Sequence, residues 1–230
     1  MVLNIIKTGG EGVNPRWHRA FQSGEHYRDI MWTDLVEIAR LHWEQIAADP
    51  SSRTMTNKQY EAMKQGVWDR GGCIVAVLFV PSNKGAYFFV STVPKHFQSE
   101  MRKNGYLDAP AWWAAVHRKP KVYCHAEDAV EYDFEVKFRS GALDLPHIRI
   151  VNDDGRQYYH VQDRDLEYSR LKIAAWGCYG DDQTESPRQQ KEGHFIELCH
   201  DNTEKQPTCR DVARTLNIEY CTGEKLNTER

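Results

Sequence analysis

The chain has 230 residues, 40% of them hydrophobic and 27% charged, with a formal net charge of −3 at pH 7. That length suits one domain with extensions, or two small ones, with a core that needs no covalent staples. A net negative chain has no global attraction for polyanions or anionic membranes, so nucleic-acid binding would require a local basic patch, and no segment approaches the roughly 18 apolar residues of a membrane span.

Residues 1 to about 30 are rich in Gly, Arg and His without clear period, and read as an extended or loosely attached lead. Met1 to Ile6, then Lys7, Thr8 and a Gly pair, lack the apolar core of a signal peptide, so an intracellular site, cytoplasmic or nuclear, is expected. Thr33 or Asp34 can cap a helix with Leu35, Ile38, Ala39, His42 and Ile46 on its apolar face, closed by Asp49-Pro50. A second helix is expected from about Asn57 to Trp68, broken by Gly71-Gly72.

Cys73 to Val80 is a continuous apolar run, Pro81 to Gly85 is turn chemistry, and Ala86 to Thr92 is a second run. This is the pattern of a β-hairpin with at least one strand covered on both faces. Segment 95–121 follows with Lys95, Arg102, Lys103, Arg118, Lys119 and Lys121 around Trp112 and Trp113. A helix then starts near His125, with Ala126, Ala129, Val130 and Phe134 on one face. Ile148 to Val151, Leu171 to Gly177, His194 to Cys199 and Ile218 to Tyr220 read as strands, and Pro207-Thr208 announces a helix with Val212, Ala213 and Leu216 apolar. Helices alternating with strands after a hairpin predict an α/β fold, a three-layer α-β-α sandwich with a mixed sheet. The expected division is a helical lead over 1–53, a catalytic domain over 54–222 and a tail over 223–230.

Cysteines stand at 73, 124, 178, 199, 209 and 221, too sparse for a disulfide scaffold at this length. Cys73 and Cys124 read as small core residues. Cys199 ends an expected strand and Cys209 opens an expected helix, where the helix dipole favours a thiolate. On spacing alone they read as two unrelated buried cysteines. His-x-Glu occurs twice, as His42-Trp43-Glu44 and His125-Ala126-Glu127. The first lies within a helix and reads as a core histidine with a surface glutamate. The second opens a helix, where an imidazole can bind zinc while the glutamate beside it moves protons.

Helix, hairpin, helix with His-Ala-Glu, then strand and helix with cysteines resembles the cytidine-deaminase-like superfamily. Its signature is His-x-Glu followed by Pro-Cys-x-x-Cys around one zinc. Pro207-Thr208-Cys209 and the helix after it are similar to the tail of the cysteine motif in toxin-type and fungal members. The chain has no Cys-x-x-Cys: nine residues separate Cys199 from Cys209.

The resemblance implies zinc ligated by His125, Cys199 and Cys209, with Cys178 the rival to Cys199. It implies Glu127 as proton carrier in hydrolytic deamination of a nucleobase, cytosine ahead of adenine. It also implies substrate hydrogen bonds from Ser91 and Thr92 at the end of the hairpin. The cations and tryptophans of segment 95–121, Trp112 and Trp113 among them, are the ingredients of a single-strand stacking platform, or equally a solvated basic face with two core tryptophans. A nucleic acid is therefore the expected partner, with free nucleosides the alternative, no membrane partner, and no reading of the oligomeric state. Two other readings stay open: a structural zinc module with His200 as fourth ligand, and a thiol hydrolase using Cys124 or Cys178.

Overall fold

The computed structural model describes residues 3–6, 18–23, 30–48, 73–82, 85–91, 125–154, 156–162, 170–178, 192–199 and 208–229. In chain order the elements are β1 (Leu3–Ile6), β2 (His18–Ser23), α1 (Trp32–Ala48), β3 (Cys73–Val80), β4 (Tyr87–Ser91), α2 (Ala126–Arg139), β5 (Ile148–Asp153), β6 (Arg156–Val161), β7 (Lys172–Cys178), β8 (His194–Ile196), α3 (Cys209–Thr215), β9 (Glu219–Tyr220) and α4 (Gly223–Thr228). The expected helix at 57–68 lies outside the described residues.

The main sheet runs β1-β2-β4-β3-β7-β8, with β9 also paired to β7. It is mixed, because every pairing is antiparallel except β7 with β9. The two short strands share the free edge of β7: β8 pairs along residues 175–177 and β9 along 172–173.

The expected hairpin is β3–β4, with Ala76 opposite Ser91 and Val80 opposite Tyr87. Apart from Ser91 at the end of β4, its strands are apolar because both faces are covered. Ala76, Leu78, Val80, Tyr87 and Phe89 pack with Val130 and Phe134 of α2 and with Val212 and Ala213 of α3. Val75, Val77, Phe79, Phe88 and Val90 pack with Leu35, Ala39 and Trp43 of α1. Each fully buried side chain of this size is worth roughly 1.5–3 kcal/mol of transfer free energy. Helices therefore lie on both faces of a mixed sheet, as the α/β reading requires. β5 and β6 form a separate two-stranded sheet whose Ile148 and Tyr159 enter the α2-side core.

Three expectations need correction. The N-terminal lead is not merely extended: β2 pairs with β4 and β1 pairs with β2, extending the main sheet. Those strands are fixed by long-range partners, which local composition does not announce. On α1 the buried position is Trp43, while His42 is half-buried, because the apolar stripe follows Trp32, Leu35, Val36, Ala39 and Trp43. The tail over 223–230 holds α4, capped by Thr222, whose side chain accepts from the Lys225 N–H. Lys225 lies 4.6 Å from the Trp32 ring, and the Thr33 N–H donates to Glu229, so α4 is fastened to the start of α1.

α3 ends in a reciprocal turn. Asn217 takes φ +59, the Ile218 N–H reaches the Ala213 carbonyl at 2.8 Å, and the Asn217 N–H reaches Arg214 at 3.2 Å. That closure uses the left-handed residue a helix C-terminus favours and returns the chain to β9.

Candidate metal centre

α2 turns one apolar face to the sheet. Ala126, Val130 and Phe134 hold it on the sheet, which fixes its N-terminus. His125 is the N-cap, in extended conformation at φ −90 and ψ 168. Its backbone N–H donates to the Asp128 carboxylate at 2.7 Å.

β8 returns antiparallel to β7 and delivers Leu198 and Cys199 to the α2 side of the sheet, where both join that core. Cys209 is the first residue of α3, and its N-cap Thr208 forms a box with Asp211. The Cys209 N–H donates to Cys199 Sγ at 3.1 Å, and the Arg210 N–H donates to the Cys199 carbonyl at 3.3 Å. Arg210 also reaches back to the Leu198 carbonyl and pairs with Glu197, tying the strand exit to the helix start.

These elements bring three side chains together. His125 Nδ1 is 3.0 Å from Cys209 Sγ and 3.7 Å from Cys199 Sγ. One ligand atom from each residue lies within 4.8 Å of the other two, an arrangement that could hold a metal ion. A tetrahedral cation with usual zinc bond lengths would space nitrogen and sulfur about 3.6 Å apart and two sulfurs about 3.8 Å apart. The cluster is thus near the spacing needed. One imidazole and two thiols form a borderline-to-soft donor set, which oxygen-seeking cations do not choose.

The contacts within the cluster favour a thiolate at Cys199 and a proton on His125. The Cys199 thiol is brought down to about 4, chiefly by its hydrogen bond with the Cys209 side chain, with His125 and the Cys209 N–H adding to it against burial. The His125 ring is raised, first by the Cys199 hydrogen bond, although Cys209 is the nearer sulfur. Cys199 governs because it carries the negative charge. Glu127 is buried at 5% exposure, and its carboxyl is pushed up by that burial, with the His125 charge opposing.

The rival cysteine is elsewhere. Cys178 is fully buried in the α1-side core with Val75 and Ala174. The other His-x-Glu is an ordinary helical segment: His42 Nδ1 meets the Ile38 carbonyl at 3.0 Å, and the exposed Glu44 pairs with Arg40. Ser91 closes β4 and is buried at 2% exposure. By strand alternation it shares the α2-facing side with Tyr87 and Phe89. Thr92, Trp112, Trp113, Cys124, His200 and the whole basic segment 95–121 lie outside the described residues.

No family model, curated protein or solved structure matches this chain. What it can do therefore rests on its own geometry. Among the described residues no helix is long and apolar enough to cross a membrane.

Sequence reasoning passed over several residues around the cluster. Asp128 and Asp211 close the first turns of the two ligand-bearing helices. Thr208-x-x-Asp211 carries the pattern of a cap with an acid three residues on, a readable signal, whereas histidine at the N-cap of α2 is atypical and hid the other. Glu131 and Glu135 are buried on α2, and the Tyr159 hydroxyl donates to Glu135 at 2.7 Å. Helical periodicity assigns such glutamates to solvent, so nothing in the pattern marks them.

Proposed function

We propose that this chain is a zinc-dependent hydrolase that removes the exocyclic amine of a nucleobase, cytosine ahead of adenine, within a nucleic acid. The observation that carries the reading is a His–Cys–Cys cluster with a buried carboxyl two residues from its histidine and outside the donor set. It gives a physical basis to the likeness to cytidine-deaminase-like enzymes, and the helices on both faces of a mixed sheet agree with it.

His125, Cys199 and Cys209 would hold the metal. Zinc with three protein ligands supplies an open position, a water of lowered pKa and a Lewis acid. Glu127 takes a proton from the attacking water and hands it to the ring nitrogen next to the amine-bearing carbon, which makes that carbon electrophilic. It then carries a proton to the departing amine. One C–N bond breaks, one C–O bond forms, and the products are the oxo-base and ammonia. Burial suits Glu127 to this exchange, because it raises the carboxyl above its usual range, the direction that helps a group which must both receive and release a proton. Ser91, on the α2-facing side at the end of β4, is assigned to hydrogen-bond the base, with Thr92 beside it in sequence. Trp112 and Trp113 with the cations of 95–121 are assigned to the strand that carries the base.

The test is sequencing of single-stranded DNA and RNA exposed to the purified zinc-loaded protein. Cytosine read as thymine supports the assignment, and adenine read as guanine redirects it to adenine. Unchanged polymers with ammonia released from free cytidine would move the substrate to nucleosides. No conversion of polymer or nucleoside would leave a zinc-binding module.

A further inference from the structure

Both helices that present a metal ligand begin with the same device. The first turn of a helix has backbone N–H groups without intrahelical partners. In α2 the N-cap is the ligand His125, and the Asp128 carboxylate three residues on accepts its backbone N–H at 2.7 Å. In α3 the N-cap is Thr208, directly before the ligand Cys209. Asp211 accepts the Thr208 N–H at 2.9 Å and the Thr208 hydroxyl at 2.7 Å, while its own N–H donates to Thr208 Oγ1 at 3.2 Å. Asp128 is buried at 3% exposure and Thr208 at 6%, while His125 and Asp211 are half-buried, so these bonds are partly sheltered from water.

Resting on the reading of the cluster as a zinc site, we propose that Asp128 and Asp211 are positioning residues for the metal. They fix the backbone from which His125 Nδ1 and Cys209 Sγ converge. α3 is only seven residues long, so its own helical cooperativity cannot hold the first turn in place. The Cys209 N–H must also stay aimed at Cys199 Sγ, which makes the α3 start responsible for two of the three donors. A carboxylate in the first turn interacts favourably with the helix dipole, so the device remains in place as the cluster loads. Neither aspartate belongs to the donor cluster.

The test is zinc affinity of the full chain, measured by competition with a chromogenic chelator, with zinc as the only probe. Asp128→Ala and Asp211→Ala are expected to weaken zinc binding about 10–100-fold, the range for groups that orient metal ligands. Asp128→Asn and Asp211→Asn keep a carbonyl oxygen that accepts the same N–H, and are expected within about threefold of the parent. Thr222→Ala removes the cap of α4, which carries no ligand, and is expected to leave zinc affinity unchanged. Should an alanine variant fail to fold, Asp128→Ser and Asp211→Ser, too short to reach the N-cap N–H, are read in its place. Parent-like affinity in the folded alanine or serine variants, or asparagine variants as weak as alanine, would overturn the positioning role and leave the metal site standing. Absence of zinc binding by the parent itself would overturn both.

Discussion

Tyr159 links the small β5–β6 sheet to the helix that carries the candidate site, and its hydroxyl gives a calculable perturbation. The ring lies 5.1 Å from Phe134 and 6.4 Å from Phe138, and the hydroxyl donates to Glu135 at 2.7 Å. Tyr159 is 1% exposed and Glu135 0%. Tyr159→Phe preserves the ring contacts and the strand's backbone bond to the Leu216 carbonyl, and deletes one buried donor. A buried acceptor that loses one of its donors cannot replace it from solvent, and leaving such a group short of a partner costs about 1–3 kcal/mol. The expected destabilisation is about 1–3 kcal/mol. At about 2–4 °C per kcal/mol for a chain of this size, the melting temperature should fall by about 2–12 °C. Burial and Glu135 hold the tyrosine well above its usual range, so its hydroxyl keeps its proton and remains a donor at neutral pH. Calorimetry of the zinc-loaded parent and variant reads it. A shift under 1 °C would show that the Tyr159–Glu135 bond contributes nothing net and would refute the reasoning.

The remaining expectations concern the cluster and its supports. In zinc-free protein Cys199, titrating at about 4, should be alkylated by iodoacetamide at nearly the same rate at pH 6 and pH 8; a tenfold rise per pH unit would show an ordinary thiol. The sign for stability follows: a lowered thiol contributes fully above its unfolded value of about 8.5 and loses that contribution as pH falls toward about 4, so the zinc-free chain should weaken on acidification through that window. Cys199→Ala should abolish stoichiometric zinc while Cys178→Ala retains it with some loss of stability, measured by elemental analysis; the reverse pattern would put the third ligand on β7. Gly193→Ala should destabilise by about 2 kcal/mol or more, since φ is +69 there and an added Cβ would sit 2.6 Å from Trp176 Nε1; an unchanged urea midpoint would count against that clash.

What the sequence revealed and what it hid divide along physical lines. The β3–β4 hairpin was readable because a strand buried on both faces is apolar at every position, as Val75 to Val80 are. α2 was readable from its period and α3 from its period and its Pro207-Thr208 start, and with them His125 and Cys209. The choice between Cys178 and Cys199 was not, because it depends on which face of the sheet each reaches. Strand alternation puts Cys178 with Ala174 on the α1 side, and the antiparallel return of β8 puts Cys199 on the other. β1 and β2 were unreadable because their pairing partners lie far along the chain. α4 has one apolar anchor, Leu226, and is held instead by Lys225 against Trp32 and Tyr220, contacts that no local pattern encodes.

The most direct test of hydrolytic deamination at this site is Glu127→Ala, compared with the parent and with Glu44→Ala. Each protein is loaded with zinc, checked for metal content and folding, and assayed for cytosine-to-uracil conversion in a single-stranded oligonucleotide. Glu127 stands outside the donor cluster, so its variant should keep about one zinc per chain. It should nonetheless lose at least about 10²–10⁴-fold in rate, because one group serves several proton transfers. Glu44→Ala, altering an exposed ion pair with Arg40, should stay within a few-fold of the parent. Equal zinc and equal conversion in Glu127→Ala and the parent would contradict the proposed mechanism.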